Sequence, residues 1–167
     1  MPEISILGWF HTIIAIVALG AGLYSLIKFK YIKLSQLTGK IYLGCTLFAA
    51  VTALFIYQAS GTFNAAHALA ILTLVALLVG FIAEKTRVFG KLSPYLQAAS
   101  YTGTFLFHMI PAITDGLMRL PVDSPIVSEI EDPLLKGFYL TFLVIYIIVL
   151  ITQIMSLRKQ SKQPNNS

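Results

Sequence analysis

Apolar residues fill five long runs of the chain, and short polar or charged segments separate these runs. A helix needs about 20 mostly apolar residues to cross about 30 Å of hydrocarbon. The runs therefore predict an all-α integral membrane bundle of five transmembrane helices in one domain, residues 1–157. The second run is the shortest, and we expect its helix to extend into "LTGK" or "QASG". The predicted spans are residues 4–27, 41–57, 64–83, 92–117 and 135–157.

The composition supports a membrane protein. Hydrophobic residues make up 57% of the 167 residues and charged residues only 11%, and the mean hydropathy is +0.80. A soluble domain carries about 25% charged residues, because its surface must face water. This chain has too few polar groups to cover a globule of its size, so we expect the lipid bilayer to cover much of its surface.

The distribution of charge predicts the orientation of the helices. If five helices alternate, the first linker, the third linker and the C-terminal segment lie on one side, and they hold ten of the twelve Lys and Arg residues. The other side holds six of the seven Asp and Glu residues. The positive-inside rule then places the N-terminus outside and residues 158–167 in the cytoplasm as a polar tail. The net charge of +5 does not indicate nucleic-acid binding, because the basic clusters lack interleaved aromatic residues.

Two helices have a face of distinctive residues at steps of three and four. Small residues on the first helix predict close packing against a neighbouring helix; with one histidine, that face holds Gly8, His11, Ala15, Ala18, Gly22 and Ser25. The fourth helix has a more polar face, comprising Gln97, Ser100, Thr104, His108, Pro111, Asp115 and Arg119. Asp115 and Arg119 have the spacing and order of a helical ion pair. Pro111 removes a backbone donor, which predicts a kink beside His108.

All three histidines fall within the predicted spans. Counted along the helices, His11, His67 and His108 all lie in the outer halves of their predicted spans. Ionisable groups inside a membrane usually face the bundle interior and often mark function. We therefore predict a polar cluster in the outer half of the bundle, formed by these histidines and Asp115 with Ser100 and Thr104 beneath, and closed outside by Arg119.

Three interpretations of the cluster are open. The histidines can form a structural hydrogen-bond network between helices or a small-ligand site. Two of them can clamp a b-type haem in a membrane oxidoreductase component, since neutral imidazole binds haem iron. All three can hold a divalent metal such as Zn²⁺ or Cu²⁺, or serve in proton or solute handling. A homo-oligomer or a membrane protein partner is compatible with each interpretation.

Four segments resemble, in order, a family of uncharacterised bacterial multi-pass membrane proteins catalogued as a domain of unknown function: "FHTIIAIVALGAGLYSLIKFK", "LTGKIYLGCTLFAAVTAL", "HALAILTLVALLVG" and "YLQAASYTGTFLFHMIP". The resemblance covers the chain from about Trp9 to Pro121 and implies a location in the bacterial inner membrane. It extends to His11, Gly39, Tyr42 and His67. This chain has "SQ" at residues 35–36, where many members have a His-Arg pair, so a family site that uses that histidine is not carried over.

The predicted orientation can be tested with reporters. A reporter protein that is active only in the cytoplasm should be active when it is fused after Ser167. A periplasmic reporter at the same position should be inactive. The opposite pair of results would contradict a five-span bundle with its N-terminus outside.

Overall fold

The computed structural model describes residues 4–56 and 61–162. These residues form five α-helices: α1 (Ile6–Phe29), α2 (Leu37–Ala53), α3 (Ala65–Thr86), α4 (Ser93–Arg119) and α5 (Pro133–Lys162). A short 3₁₀ helix, Gly90–Leu92, precedes α4. No β-strand occurs in the described part of the chain. The all-α fold class predicted from the sequence is confirmed.

The helices differ from the predicted spans at several ends. α2 begins at Leu37 and so includes "LTGK", while the predicted end of this span, Tyr57, lies outside the described residues. α5 continues to Lys162, so residues 158–162 of the predicted tail are helical. An apolar run marks the part of a helix that lipid can surround, whereas backbone hydrogen bonding continues into the polar flanks.

Local sequence signals explain several helix ends. The Ser5 side chain accepts a hydrogen bond from the Gly8 amide at 3.0 Å and caps α1, as an N-cap serine does. Asn64 caps α3 through the amides of Ala66 and His67. At their C-terminal ends, α1 and α3 stop at residues in the left-handed region, Lys30 and Arg87.

The helices pack around α4. α4 contacts α3, α5 and α1, while α2 packs against α1 and α3. Side chains of α2 also form hydrogen bonds with α4. α4 is consequently the helix with neighbours on most of its surface, which is the position that suits its polar side chains.

Exposed and buried residues are distributed as expected for a protein in lipid. Large apolar side chains point outward, for example Ile27 at 74% exposure and Leu78 at 58%. In contrast, the hydroxyl-bearing Ser25, Thr46 and Thr104 are completely buried. Lipid favours this arrangement, because hydrocarbon cannot satisfy polar groups and these must find partners inside the protein.

Three helices are long and apolar enough to cross a membrane by length and composition: α1, α3 and residues 133–161 of α5. α2 is apolar but has only 17 residues. α4 has 27 residues, and its buried set is mostly polar or small: Ser93, Gln97, Ala98, Tyr101, Thr102, Gly103, Thr104 and His108. The structure is therefore that of a membrane protein with at least three candidate spans in its described part.

The small-residue face of α1 packs as predicted. Gly8, Ala18, Gly22 and Ser25 are the buried residues of this helix, and α2 is its main neighbour. A Cβ atom at Gly22 would lie 2.6 Å from Cδ2 of Tyr42, whose ring is completely buried. The ring of Tyr101 occupies the equivalent space over Gly80 where α3 meets α4. In each helix pair, a glycine allows a tyrosine ring to approach the backbone closely.

The loop between α4 and α5, residues 120–132, is exposed except for Val127 and the partly buried Asp132. The Val127 amide donates to the Leu117 carbonyl at 3.1 Å, which folds the loop back against the end of α4. Near the start of α5, Lys136 Nζ lies 2.5 Å from Glu131 Oε2. This hydrogen bond and the lysine charge lower the pKa of the Glu131 carboxyl.

The Gly22–Tyr42 contact predicts a difference between two alanine substitutions in α1. Gly22→Ala should lower the free energy of unfolding in detergent by about 1–3 kcal/mol, because the buried tyrosine ring must shift. Gly20→Ala is the matched control, since a Cβ at Gly20 meets no atom within 4 Å. Equal stability of the two variants would show that the contact does not limit helix packing.

Candidate functional site

Two side-chain hydrogen bonds join α2 to α4, and we call them the α2–α4 ladder. Tyr42 and Thr104 lie 2.7 Å apart between their oxygens, and His108 Nε2 lies 3.1 Å from Thr46 Oγ1. All four residues are buried. The second bond lies four residues beyond the first on both helices. α2 and α4 therefore run parallel, and the two bonds are one helical turn apart.

The direction of the inner bond follows from its partners. Thr104 Oγ1 donates to the Tyr101 carbonyl at 2.8 Å, and a carbonyl oxygen can only accept. The hydroxyl proton of Thr104 is thereby used. Tyr42 must then be the donor in its bond to Thr104, so both hydroxyl protons have acceptors inside the protein.

His11 is bound to the C-terminal end of α2. Its Nδ1 lies 3.0 Å from the Ala49 carbonyl oxygen and 3.2 Å from Thr52 Oγ1. Because the carbonyl can only accept, Nδ1 carries the proton that it donates. In the neutral ring Nε2 then keeps a lone pair, which can accept a hydrogen bond or bind a cation.

We call His11, His108 and Asp115 the outer polar group, because the predicted topology places all three toward the outside. His11 and His108 bind α2, and Asp115 lies seven residues beyond His108, about 10 Å further along α4. Arg119 Nε is 3.4 Å from Asp115 Oδ1, which gives the ion pair expected from the sequence. The Asp115 side chain is 66% exposed, and an exposed pair of this length contributes little to stability.

His67 has a local role at the start of α3. It is almost completely buried and forms a capping box with Asn64, whose backbone amide lies 3.2 Å from His67 Nδ1. Its ring also stacks on Phe63 with the centroids 5.3 Å apart. These contacts help to define the first turn of α3.

The other predicted members of the cluster occupy different environments. Thr104 belongs to the α2–α4 ladder, whereas Ser100, one turn further inward on α4, is only partly buried. α4 is helical through Pro111. Within residues 4–56 and 61–162, no three or more His, Cys, Asp and Glu side chains form a group that could hold a metal ion. The haem and divalent-metal hypotheses for His11, His67 and His108 stay predictions.

A second polar region lies at the opposite end of the bundle, and of its residues the sequence predicted only Gln97. Gln153 of α5 is buried and donates through Nε2 to the Lys30 carbonyl at 2.7 Å. It also accepts from Thr102 at 3.1 Å. Gln97 of α4 donates to the Ile32 carbonyl at 2.6 Å. The two glutamine side chains thus hold the α1–α2 linker in place. Gln153 lies in the middle of the apolar run "VLITQIMSL", and a polar residue at such a position is a sequence signal for a buried contact.

Comparisons with protein-family models, with curated proteins and with solved structures found no match to this chain. The resemblance to the bacterial membrane protein family therefore stays a prediction. Function has to be inferred from the contacts described above.

We predict that His11 and His108 depend on each other, because His108 binds Thr46 of α2 and His11 binds Ala49 less than one turn further along the same helix. In a double-mutant cycle with His11→Ala and His108→Ala, the interaction free energy should be at least about 0.5 kcal/mol. Unfolding in mixed detergent micelles measures it.

His67→Ala combined with His108→Ala is the matched control for this cycle. Since the described hydrogen bonds of His67 are to its own N-cap, the two effects should add to within about 0.5 kcal/mol. Additive effects for His11 and His108 would contradict a shared network.

Proposed function

We propose that the protein crosses the bacterial inner membrane five times, with its N-terminus outside and its C-terminus in the cytoplasm. α2, with 17 residues, is about 26 Å long, close to the hydrocarbon thickness. α4 is polar, but its buried polar residues, such as Gln97, Thr104 and His108, face other helices rather than lipid. The positions of the basic residues support this topology. The resemblance in sequence supports membership of the bacterial membrane protein family. Two residues that carry the resemblance, Gly39 and Tyr42, are buried in the bundle of this protein.

Within this bundle, the outer polar group of His11, His108 and Asp115 acts as a small-ligand site, and the α2–α4 ladder is the structural network beneath it. The observation that carries this proposal is the Ala49–His11 hydrogen bond. This hydrogen bond orients the imidazole and leaves Nε2 as an acceptor. Histidines that bind ligands are commonly oriented in the same way, by a hydrogen bond from the other ring nitrogen to a carbonyl or carboxylate.

The chemistry of the group favours a small cation with N–H donors. Asp115 contributes a negative charge, and its Oδ1 pairs with Arg119 Nε at 3.4 Å. His11 contributes an acceptor nitrogen. Ammonium or a short alkylammonium ion can donate to His11 while its charge is attracted by Asp115.

A thermal-shift experiment with methylammonium chloride tests this site. At about ten times Kd, ligand binding to the folded protein should raise the free energy of unfolding by about 1.4 kcal/mol. The reference is sodium chloride at the same concentration, which removes the general effect of ionic strength. The Tm of purified protein in non-ionic detergent gives the readout.

Three variants assign the effect to the proposed residues. Asp115→Asn and His11→Phe should each abolish the methylammonium-dependent shift, irrespective of their own stability. Asp123→Asn, in the exposed α4–α5 loop, should retain it. The proposal fails if the wild type shows no shift, or if the shift persists in His11→Phe.

A further inference from the structure

A groove of about 400 Å³ lies between α2 and α3, away from the outer polar group. Its volume is within the range of about 300–1,000 Å³ that is typical of ligand pockets. Most of its walls are apolar and belong to these two helices: Leu43, Leu47, Leu74, Leu77, Leu78 and Phe81. The Tyr101 side chain of α4 also lines it. We call this feature the α2–α3 groove.

The groove runs along α2 within one half of the bilayer thickness. Lys40, in the first turn of α2, lies at one end, and Leu47 lies seven residues further along the same helix. From Lys40 to Leu47 the groove follows α2 for about 10 Å. This distance is about two thirds of one leaflet of the hydrocarbon core, which is about 15 Å thick, so the groove can hold part of an acyl chain.

Gly44 makes the groove deep. It lines the groove, and a Cβ atom at this position would meet no atom within 4 Å. In contrast, the glycines at positions 22, 39 and 80 have protein atoms in the space where a side chain would begin. The space beside Gly44 is thus available to a ligand rather than filled by a neighbouring helix.

The polar end of the groove has a lysine, Lys40, and the Glu84 carboxylate also lies there, where it accepts a hydrogen bond from the amide of the lining residue Leu34 at 2.9 Å. Lys40 is exposed and makes no ion pair with any residue of the described ranges. The N-cap residue of α2, Gln36, provides no side-chain hydrogen bond to the helix amides, unlike Ser5 in α1 and Asn64 in α3. An uncapped helix N-terminus beside a lysine favours an anion such as phosphate.

We propose that the α2–α3 groove binds one anionic glycerophospholipid. An acyl chain lies along the leucines and Gly44, and the phosphate of the headgroup pairs with Lys40 near the N-terminus of α2. The charge of Lys40 selects an anionic headgroup over a zwitterionic one. The proposed topology places the Lys40 end of the groove at the cytoplasmic leaflet. The groove and its lysine do not depend on that topology.

Native mass spectrometry of the full chain in non-ionic detergent can measure this binding. The probes are phosphatidylglycerol and phosphatidylcholine with identical palmitoyl and oleoyl chains. Wild-type protein should bind one phosphatidylglycerol with a Kd about fivefold lower than that for phosphatidylcholine, as expected for one lysine near an anionic headgroup. Lys40→Gln should remove this preference, whereas Lys91→Gln, an exposed lysine that does not line the groove, should keep it.

Gly44→Leu tests the groove itself by filling it. This variant should lose the bound lipid, whereas Gly20→Leu should retain it, because Gly20 also has open space but lies on α1. Equal lipid binding by the two leucine variants would overturn the proposal. A wild type without headgroup preference, or a wild-type dimer that Gly44→Leu dissociates, would also overturn it.

Two further measurements keep the outcome clear. If Gly44→Leu does not fold, Lys40→Gln still decides the proposal, since it changes only an exposed side chain. Asp115→Asn and His11→Phe should leave lipid binding unchanged. Failure of the methylammonium site and failure of the lipid site are therefore distinguishable.

Discussion

The polar side chains of α4 cannot face lipid, and the packing of the other helices depends on covering them. Hydrocarbon offers no hydrogen bonds, so each buried polar group requires a partner within the protein. α2 supplies Tyr42 and Thr46 to the middle of α4. α5 supplies Gln153, which accepts from Thr102, and the α1–α2 linker supplies the Ile32 carbonyl to Gln97. The bundle is therefore organised around one polar helix, with apolar residues on the outside.

The sequence predicted the features that depend on periodicity. The apolar runs identified the helices, because a long apolar run is stable in lipid only when its backbone is hydrogen bonded internally. Steps of three and four residues identified the packed face of α1, and they placed Gln97, Thr104 and His108 on a face of α4 that is buried. The Asp115–Arg119 pair also followed from spacing alone.

Periodicity does not identify which residue of another helix is the partner. The sequence therefore did not identify Tyr42 and Thr46 as the partners of Thr104 and His108. Tyr42 and Thr46 lie one turn apart on α2, as their partners do on α4. The contact between Gln153 and the Lys30 carbonyl joins residues 123 positions apart, and no local pattern specifies it. His67 was placed in the cluster because of its depth. Its spacing of three from Asn64 is that of a capping box, and this local signal indicated its observed contact.

The polarity of α4 has a consequence for biogenesis. On the proposed topology, α1, α2 and α3 enter the bilayer before α4 is synthesised, and α5 follows it. α4 is not among the helices apolar enough to cross a membrane by composition, so lipid alone is a poor environment for it. The hydroxyls of α2 and the glycine of α3 that receives Tyr101 are already in the membrane when α4 arrives. The order of the helices in the chain thus lets the earlier helices act as an intramolecular chaperone for the insertion of α4.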